Sequence, residues 1–260
     1  MADFFRYNFG YSWPWSYGHL VASAAFLMIA VLARLLGWRK WIIVASGVAA
    51  LWAITAFVTF DSGLSRPATL PTERFLRAGP GLVLDGGAGS GRATVMVLLA
   101  RPQAKVVALD LFAEGYGIGG NEPDRLRANA RAAGAESRLQ IKRGDLRELP
   151  FDAATFDAAV SSFAIDHLRK KDAQQSIAEM ARVLKPGGQF LLMVLNTDAY
   201  VKFAFPLLHF HMYYGHGGTA DRWRQPLRAA GFDIVEEGTQ PATMYFLAEK
   251  PATTAQAQRR

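Results

Sequence analysis

Two long apolar runs follow one another in the first sixty residues. Leu20 to Ala33 carries no charge and continues past Arg34 into Leu35 and Leu36, and Trp41 to Phe60 is uncharged throughout. A helix needs about 20 apolar residues to cross the hydrocarbon core of a bilayer. The pattern therefore predicts two spans, over about 18–36 and 41–60, with 37–40 as the tip of a helical hairpin. Trp13, Trp15, Tyr17, Trp38 and Trp41 stand at the edges of these runs, where amphipathic rings favour the headgroup level.

Beyond residue 60 the pattern changes to short apolar runs alternating with amphipathic stretches. Residues 61–80 hold Gly63, Pro67, Pro71 and Pro80 and read as a linker, with one helical turn near Thr72 to Arg77. Strands are predicted at 81–85, 105–109, 139–143, 158–163 and 189–195, and closing strands at 232–237 and 244–249. Helices are predicted at 93–99, 122–133 (opened by Asn121 and Pro123), 172–185 and 223–230. Asp172 and Gln175 are spaced as a capping box for the third of these, and Ile177, Met180, Ala181 and Leu184 form its apolar stripe. Strand and helix in alternation give a doubly wound α/β sheet, seven-stranded and mostly parallel, with the last strand reversed. The predicted organisation is thus a membrane hairpin at 1–60, a linker at 61–80, a catalytic domain at 81–250 and a flexible tail at 251–260.

Composition narrows the reading. The 260 residues include no cysteine, which removes disulfides, thiolate metal sites and cysteine nucleophiles. The net charge is +7, yet no four basic residues are consecutive, and nucleic acid is not an expected partner. The positive-inside rule leaves the hairpin's orientation open, because Arg6, Arg66, Arg74 and Arg77 oppose Arg34, Arg39 and Lys40 across it.

The chemistry begins where the first strand ends. In Asp85-Gly86-Gly87-Ala88-Gly89-Ser90-Gly91-Arg92 the glycines at 87, 89 and 91 alternate between a strand and a helix. Such a loop lets backbone approach a nucleotide-like ligand closely. A dinucleotide fingerprint read from Gly87 would put Arg92 where its third glycine belongs. Asp110 closes the second strand 19 residues beyond Gly91, the distance at which an acid meets ribose hydroxyls.

The arrangement Asp85-x-Gly87-x-Gly89-x-Gly91 resembles the first motif of class I methyltransferases that use S-adenosyl-L-methionine. The run Ala181-Arg182-Val183-Leu184-Lys185-Pro186-Gly187-Gly188 is similar to those acting on quinones, sterols and other small molecules. The resemblance spans about 81–250 and implies S-adenosyl-L-methionine as cofactor. It also implies that Asp145 accepts from the adenine amino group, that the Leu146 backbone donates to the ring, and that the end of the fourth strand, with Ser162, faces the transferred methyl. The loop after Asp110 is longer than the family pattern, and the hairpin is no part of the shared fold.

Methyl transfer from a sulfonium is a direct displacement in which the enzyme aligns nucleophile, methyl and sulfur. A base is needed only for a protonated acceptor, and Asp166 and His167 at the fourth strand's exit are its candidates. Tyr116 in the long loop, and His209, His211, Tyr213 and Tyr214 in the aromatic insert after the fifth strand, suit a lid over an apolar acceptor. No carboxylate except Asp198 lies near those histidines to complete a ligand set, so no metal is expected. The sequence thus predicts a membrane-anchored methyltransferase, two-span, its large domain on the cytosolic side where the cofactor is made. Its acceptor is a lipophilic or membrane-associated small molecule, membrane lipid is its surroundings, and the hairpin leaves room for a homo-oligomer. Rival readings are a non-catalytic cofactor-binding membrane module and a nicotinamide-dependent oxidoreductase. Deleting residues 1–60 is expected to spare cofactor affinity.

Overall fold

The fold was read from a computed structural model, which describes residues 6–11, 13–59, 66–77, 79–113, 119–205, 210 and 219–252. The apolar runs form helices α1 (Trp13–Leu35) and α2 (Arg39–Thr59). Gly37, with φ of +74°, turns the chain between them, a conformation that costs glycine little. The helices begin earlier than the apolar runs suggest, because α1 takes in Trp13 and α2 starts on the charged pair Arg39 and Lys40.

The hairpin packs through its smallest side chains. Ser23, Ala30 and Ala33 of α1, and Ala45, Ala49 and Ala56 of α2, are buried, whereas Leu27, Met28, Val31, Leu35, Ile43 and Phe57 are exposed. Ser23 Oγ donates to the Ala49 carbonyl across the seam at 2.9 Å, and Thr55 Oγ1 donates to the Leu51 carbonyl within α2. Small seams and internally satisfied hydroxyls are how helices pack in lipid.

The rest of the chain builds one sheet. Its strands are β1 (Leu82–Gly86), β2 (Lys105–Asp110), β3 (Leu139–Arg143), β4 (Phe156–Ser162), β5 (Leu184–Leu195), β6 (Asp233–Gln240) and β7 (Thr243–Glu249), in the order β3-β2-β1-β4-β5-β7-β6. β7 alone runs antiparallel to its neighbours. This is the doubly wound, mostly parallel seven-stranded sheet expected from the sequence.

Helices α3 (Arg92–Ala100) and α4 (Pro123–Ala132) cover one face, and α5 (Lys170–Val183) and α7 (Asp221–Ala229) the other. Between β5 and α7 lies the short α6 (Ala199–Ala204). The central strands are buried on both faces, so Val83, Leu84, Ala158, Ala159, Val160, Leu191 and Leu192 are inaccessible. That explains their continuous apolar runs where an open sheet would alternate.

Three local expectations are corrected. Helix α5 starts at Lys170, two residues before the predicted cap, so Asp172 lies inside its first turn. No capping box forms there, and Gln175 Nε2 donates instead to the Arg147 carbonyl. β5 begins at Leu184, which pairs with Phe156, and the Lys185–Gly188 segment is a bulge within it. That bulge is tied down by Gly187 N donating to the Lys250 carbonyl at 2.7 Å and by Lys185 Nζ on Asp157 at 2.6 Å. Residues 66–77 are stitched to the domain: Phe75 is fully buried, Arg101 donates to the Phe75 and Glu73 carbonyls, and Thr72 Oγ1 donates to Glu236. The predicted helical turn there is a series of hydrogen-bonded turns.

Candidate functional site

In a doubly wound sheet, ligands bind beyond the carboxyl ends of the strands, where the order reverses. Here that point lies between β1 and β4, and the glycine loop crosses it. Gly87 adopts φ of +76°, and a Cβ there would fall 2.2 Å from the Ala164 Cβ. Gly91 adopts φ of +89°, with Leu126 Cγ 2.9 Å from where its Cβ would be. Both positions exclude a larger residue. Gly89 lies between them, buried, with φ of +52°.

Asp85 is fully buried under α3, where one carboxylate oxygen accepts from Thr94 Oγ1. Burial pushes its pKa from the usual 3.8 up to about 7, and the nearby Asp110 charge adds to the rise while Thr94 opposes it. Asp110, half-buried at the end of β2, accepts from Gly89 N at 2.8 Å through Oδ2. Through Oδ1 it accepts from Phe112 N at 2.6 Å and from Asn121 Nδ2 at 3.3 Å. It therefore ties the glycine loop to the following loop, a structural task the spacing did not reveal. A carboxylate has about four acceptor sites, so ribose hydroxyls would displace the long Asn121 bond. Asn121 is thereby a member of the site rather than the cap of α4, whose N-cap is Glu122.

Asp145 pairs with Arg147, at 2.6 Å between Oδ2 and Nη2, and accepts from the Arg147 backbone N–H at 2.8 Å. These hydrogen bonds hold its carboxyl below the usual range. Leu146 lies over the loop, its methyl carbons 2.9 and 3.3 Å from where a Cβ on Gly86 or Gly87 would fall. Asp145 and Leu146 thus stand at the β3 side of the loop.

At the β4 exit the two candidate bases part company. Asp166 is buried and accepts from Leu195 N at 3.0 Å, tying the β4 exit to the end of β5, while His167 is exposed. Ser162 is half-buried as the last residue of β4, but its neighbour Ser161 is the fully buried one. Successive strand residues face opposite sides, which single-sequence reading could not assign. Tyr116, His209, His211, Tyr213 and Tyr214 lie outside the described residues.

Among the described residues, four buried side-chain atoms lack a partner: Asp85 Oδ1, Asn121 Oδ1, Ser161 Oγ and Asp166 Oδ1. All belong to the carboxyl ends of β1 and β4 or the segments that follow β2 and β4. Buried polar atoms are normally satisfied, and every one of these four can accept a hydrogen bond. A ligand rich in donors, with an ammonium group, ribose hydroxyls and an exocyclic amine, matches that set. The residues present fit S-adenosylmethionine. The other large concavity, an open groove of about 710 Å³ lined by Arg147, Gln175, Glu179 and Arg182 among others, lies outside this edge. Its two arginines are already paired, Arg182 with Glu179 and Arg147 with Asp145.

The comparisons agree with this geometry. A family model described as a methyltransferase domain matches residues 83–188. A ubiquinone/menaquinone biosynthesis C-methyltransferase from Syntrophotalea carbinolica is 33% identical over 133 residues, half of this chain and 51% of that protein. A demethylmenaquinone methyltransferase from Mycobacterium tuberculosis is 34% identical over 159 residues, 61% of this chain and 59% of that protein. The chain thus spans between half and three-fifths of the length of these curated relatives. Among solved structures, an S-adenosylmethionine-dependent methyltransferase from Methanosarcina mazei aligns at a TM-score of 0.53 and 20% identity, covering 67% of this chain and 94% of that one. The [4+2]-cyclase SpnF aligns at 0.52 and 18% identity, covering 70% and 78%. One fold therefore serves more than one reaction. Residues 83–188 thus match a methyltransferase domain, and the sheet from β1 to β7 has the fold of class I methyltransferases.

Proposed function

We propose that the chain is a membrane-anchored methyltransferase that moves a methyl group from S-adenosylmethionine to a lipophilic small-molecule acceptor. The observation that carries this reading is the way the apolar hairpin is joined to the sheet's carboxyl edge. Helix α6 follows β5 directly and is N-capped by Asp198, whose Oδ1 accepts from Val201 N at 2.9 Å. Its Tyr200 hydroxyl meets Thr59 Oγ1 at 2.6 Å, Phe203 stacks on Trp52, and the Ala204 carbonyl meets His19 Nε2 at 2.9 Å. Thr59 ends α2 and His19 lies early in α1, so both ends of the hairpin converge on α6. An acceptor dissolved in lipid would reach the reaction site without crossing water.

Two further facts support the acceptor class. Almost all the exposed large apolar side chains of the described residues are on the hairpin; Leu99, Leu111, Phe203 and Phe210 are the others. Phe203 belongs to α6 and stacks on Trp52, so the exposed apolar surface continues from the hairpin onto α6. The relatives named above are methyltransferases of quinone biosynthesis, and quinones partition into lipid.

In this reading Gly87, Gly89, Gly91, Asp85, Asp110, Asp145, Leu146 and Ser162 hold the cofactor, which when bound supplies the electrophilic methyl. Asn121 and Ser161 join them. The chain's task is then to align acceptor and methyl and to exclude water. Asp166 serves as positioning group or base from its buried seat, its Oδ2 held by Leu195 N. The domain faces the cytosol.

Calorimetric titration of the detergent-solubilised protein with S-adenosylhomocysteine, with NADH as the control, tests the cofactor. Micromolar binding of the first alone is expected, followed by transfer of labelled methyl from S-adenosylmethionine into membrane lipid extracts. Binding without transfer into any extract would favour the non-catalytic module, and binding of NADH instead would overturn the reading. Asp110→Ala should weaken S-adenosylhomocysteine binding about a hundredfold and cost about 1–3 kcal/mol of stability, because it also strands the Gly89 and Phe112 amides. Unchanged affinity removes Asp110 from the site.

A further inference from the structure

The segment that precedes the hairpin lies across the cofactor loop. Phe9 is buried, and its carbonyl accepts from Ser90 Oγ, inside the glycine loop, at 2.7 Å. Asn129 of α4 is buried between the two: its Nδ2 donates to the Asn8 carbonyl at 2.9 Å and to the Ser90 carbonyl at 2.8 Å, and its Oδ1 accepts from Asn8 N at 2.8 Å. The Gly10 carbonyl accepts from Gly119 N, in the loop after Asp110, at 2.7 Å. Arg6 Nε donates to the Ala132 carbonyl at the end of α4. One short segment thus bonds to the glycine loop, to α4 and to the loop between β2 and α4.

We propose that residues 6–10 are a strap that sets the spacing of the two cofactor loops, with Asn129 as the positioning residue that joins strap and loop. The inference rests on the cofactor assignment above. Its physical basis is that Ser90 and Gly119 flank Asp110 in the sequence, and that Asp110 joins the same two loops through Gly89 N and Phe112 N. The strap adds a bridge between those loops that does not use the carboxylate on which the ribose would also fall. With it, Asp110 can give up a donor without the loops separating. Asn129 is buried, belongs to no motif of the cofactor fingerprint, and has all three of its bonds spent on this junction.

The strap also ends at the membrane. Only Tyr11 and Ser12 separate Gly10 from Trp13, the first residue of α1. The hairpin is therefore joined to the cofactor side through the strap and to the acceptor side through α6. Deleting residues 1–60, which the sequence suggested would spare cofactor binding, also removes the strap, so on this proposal cofactor affinity should fall with it.

Gly10→Ala tests the strap without altering the domain. Gly10 has φ of +71°, and a Cβ there would fall 1.8 Å from Arg125 Nη1 and 2.8 Å from the Gly119 carbonyl, so the substituted strap must lift away. Full-length wild type, Gly10→Ala and Asn129→Ala are each titrated with S-adenosylhomocysteine in detergent. Amide hydrogen exchange of residues 6–10 is followed with and without that probe. Both variants should bind about tenfold or more weakly, the scale of one or two lost hydrogen bonds. Their melting temperatures without the probe should both fall, because each change breaks the junction of Asn8 with the buried Asn129 amide; the exchange response of wild type to the probe is the readout that separates a cofactor strap from a merely structural segment. In wild type the probe should slow exchange at residues 6–10, a response that a merely structural segment would not give. Wild-type affinity in Gly10→Ala, or exchange indifferent to the probe, overturns the strap. Failure of wild type itself to bind overturns the cofactor assignment instead, so the two ideas fail separately.

Discussion

The hairpin and the sheet domain are packed by opposite rules. In the domain, large side chains fill the interior, with Phe75, Phe156, Phe190, Phe246 and Leu84 all inaccessible. In the hairpin, alanines and a serine fill the interior and leucine, isoleucine, methionine and tryptophan face outward. The first arrangement removes apolar area from water, worth about 25 cal/mol per Å². The second cannot be driven that way, because it leaves most of its apolar surface exposed. It makes sense if the surroundings are themselves apolar, so that close backbone approach and interhelical contact provide the association.

Polar groups obey the same division. The hairpin's Ser23 and Thr55 bond to backbone carbonyls. The domain leaves Asp85, Asn121, Ser161 and Asp166 each with an unpartnered atom at the strands' carboxyl edge. On the proposed reading the hairpin satisfies its polar groups internally, as lipid would require, and the strands' carboxyl edge keeps acceptors in reserve for the cofactor.

If the two regions differ in this way, they should break differently. The largest effect is expected from Phe190→Ala, which removes a fully buried ring and should cost about 3–5 kcal/mol in denaturant unfolding of the domain. Ile43→Ala, on the hairpin's outer face, should leave that transition where it is. A comparable loss from both would mean that the hairpin's outer face is packed against protein after all.

Asp85 provides the next test. Its folded-state pKa lies near 7 against 3.8 unfolded, so the folded state holds the proton more tightly. Stability contributed at low pH is lost as pH rises from about 4 to 7, a change on the order of 4 kcal/mol at neutral pH. Asp85→Asn should flatten the pH dependence of stability over that interval and raise stability at pH 7. An unaltered slope would show that the carboxyl is not desolvated as the geometry indicates.

Smaller effects should appear in the seam. Ala49→Leu adds bulk where the helices touch and should cost about 1–3 kcal/mol of hairpin association, measurable by energy transfer between labels on the two helices. Ser23→Ala removes a single interhelical hydrogen bond and should cost about 0.6 kcal/mol. If instead the larger residue tightened the hairpin, small size would not be the organising feature of the seam.

Much of this was legible along the chain. The two apolar helices and the succession of strands and helices are local properties, because periodicity reports on burial residue by residue. The glycine loop was legible because glycine marks backbone that must turn or be approached closely, and the positive φ at Gly87, Gly89 and Gly91 bears that out. Element ends were read less well. The start of β5 at Leu184 depends on its pairing with Phe156 and on the contacts of Gly187 with Lys250 and Lys185 with Asp157, partners that are distant in sequence.

What the amino-acid order alone determined was the kind of material in each segment: apolar hairpin, glycine loop, buried strands. Only the tertiary structure decided which groups share a site. Asn121 reaches Asp110 across a loop, Asn129 reaches Asn8 over more than a hundred residues, and α6 meets His19 and Trp52 from the far side of the chain. The physical reason is that a side chain's partner is set by where the sheet places its strand ends, and strand order depends on the packing of the whole domain. A residue such as Asn129, with no motif around it, acquires a role only once two separate segments, at Asn8 and Ser90, are brought to its amide.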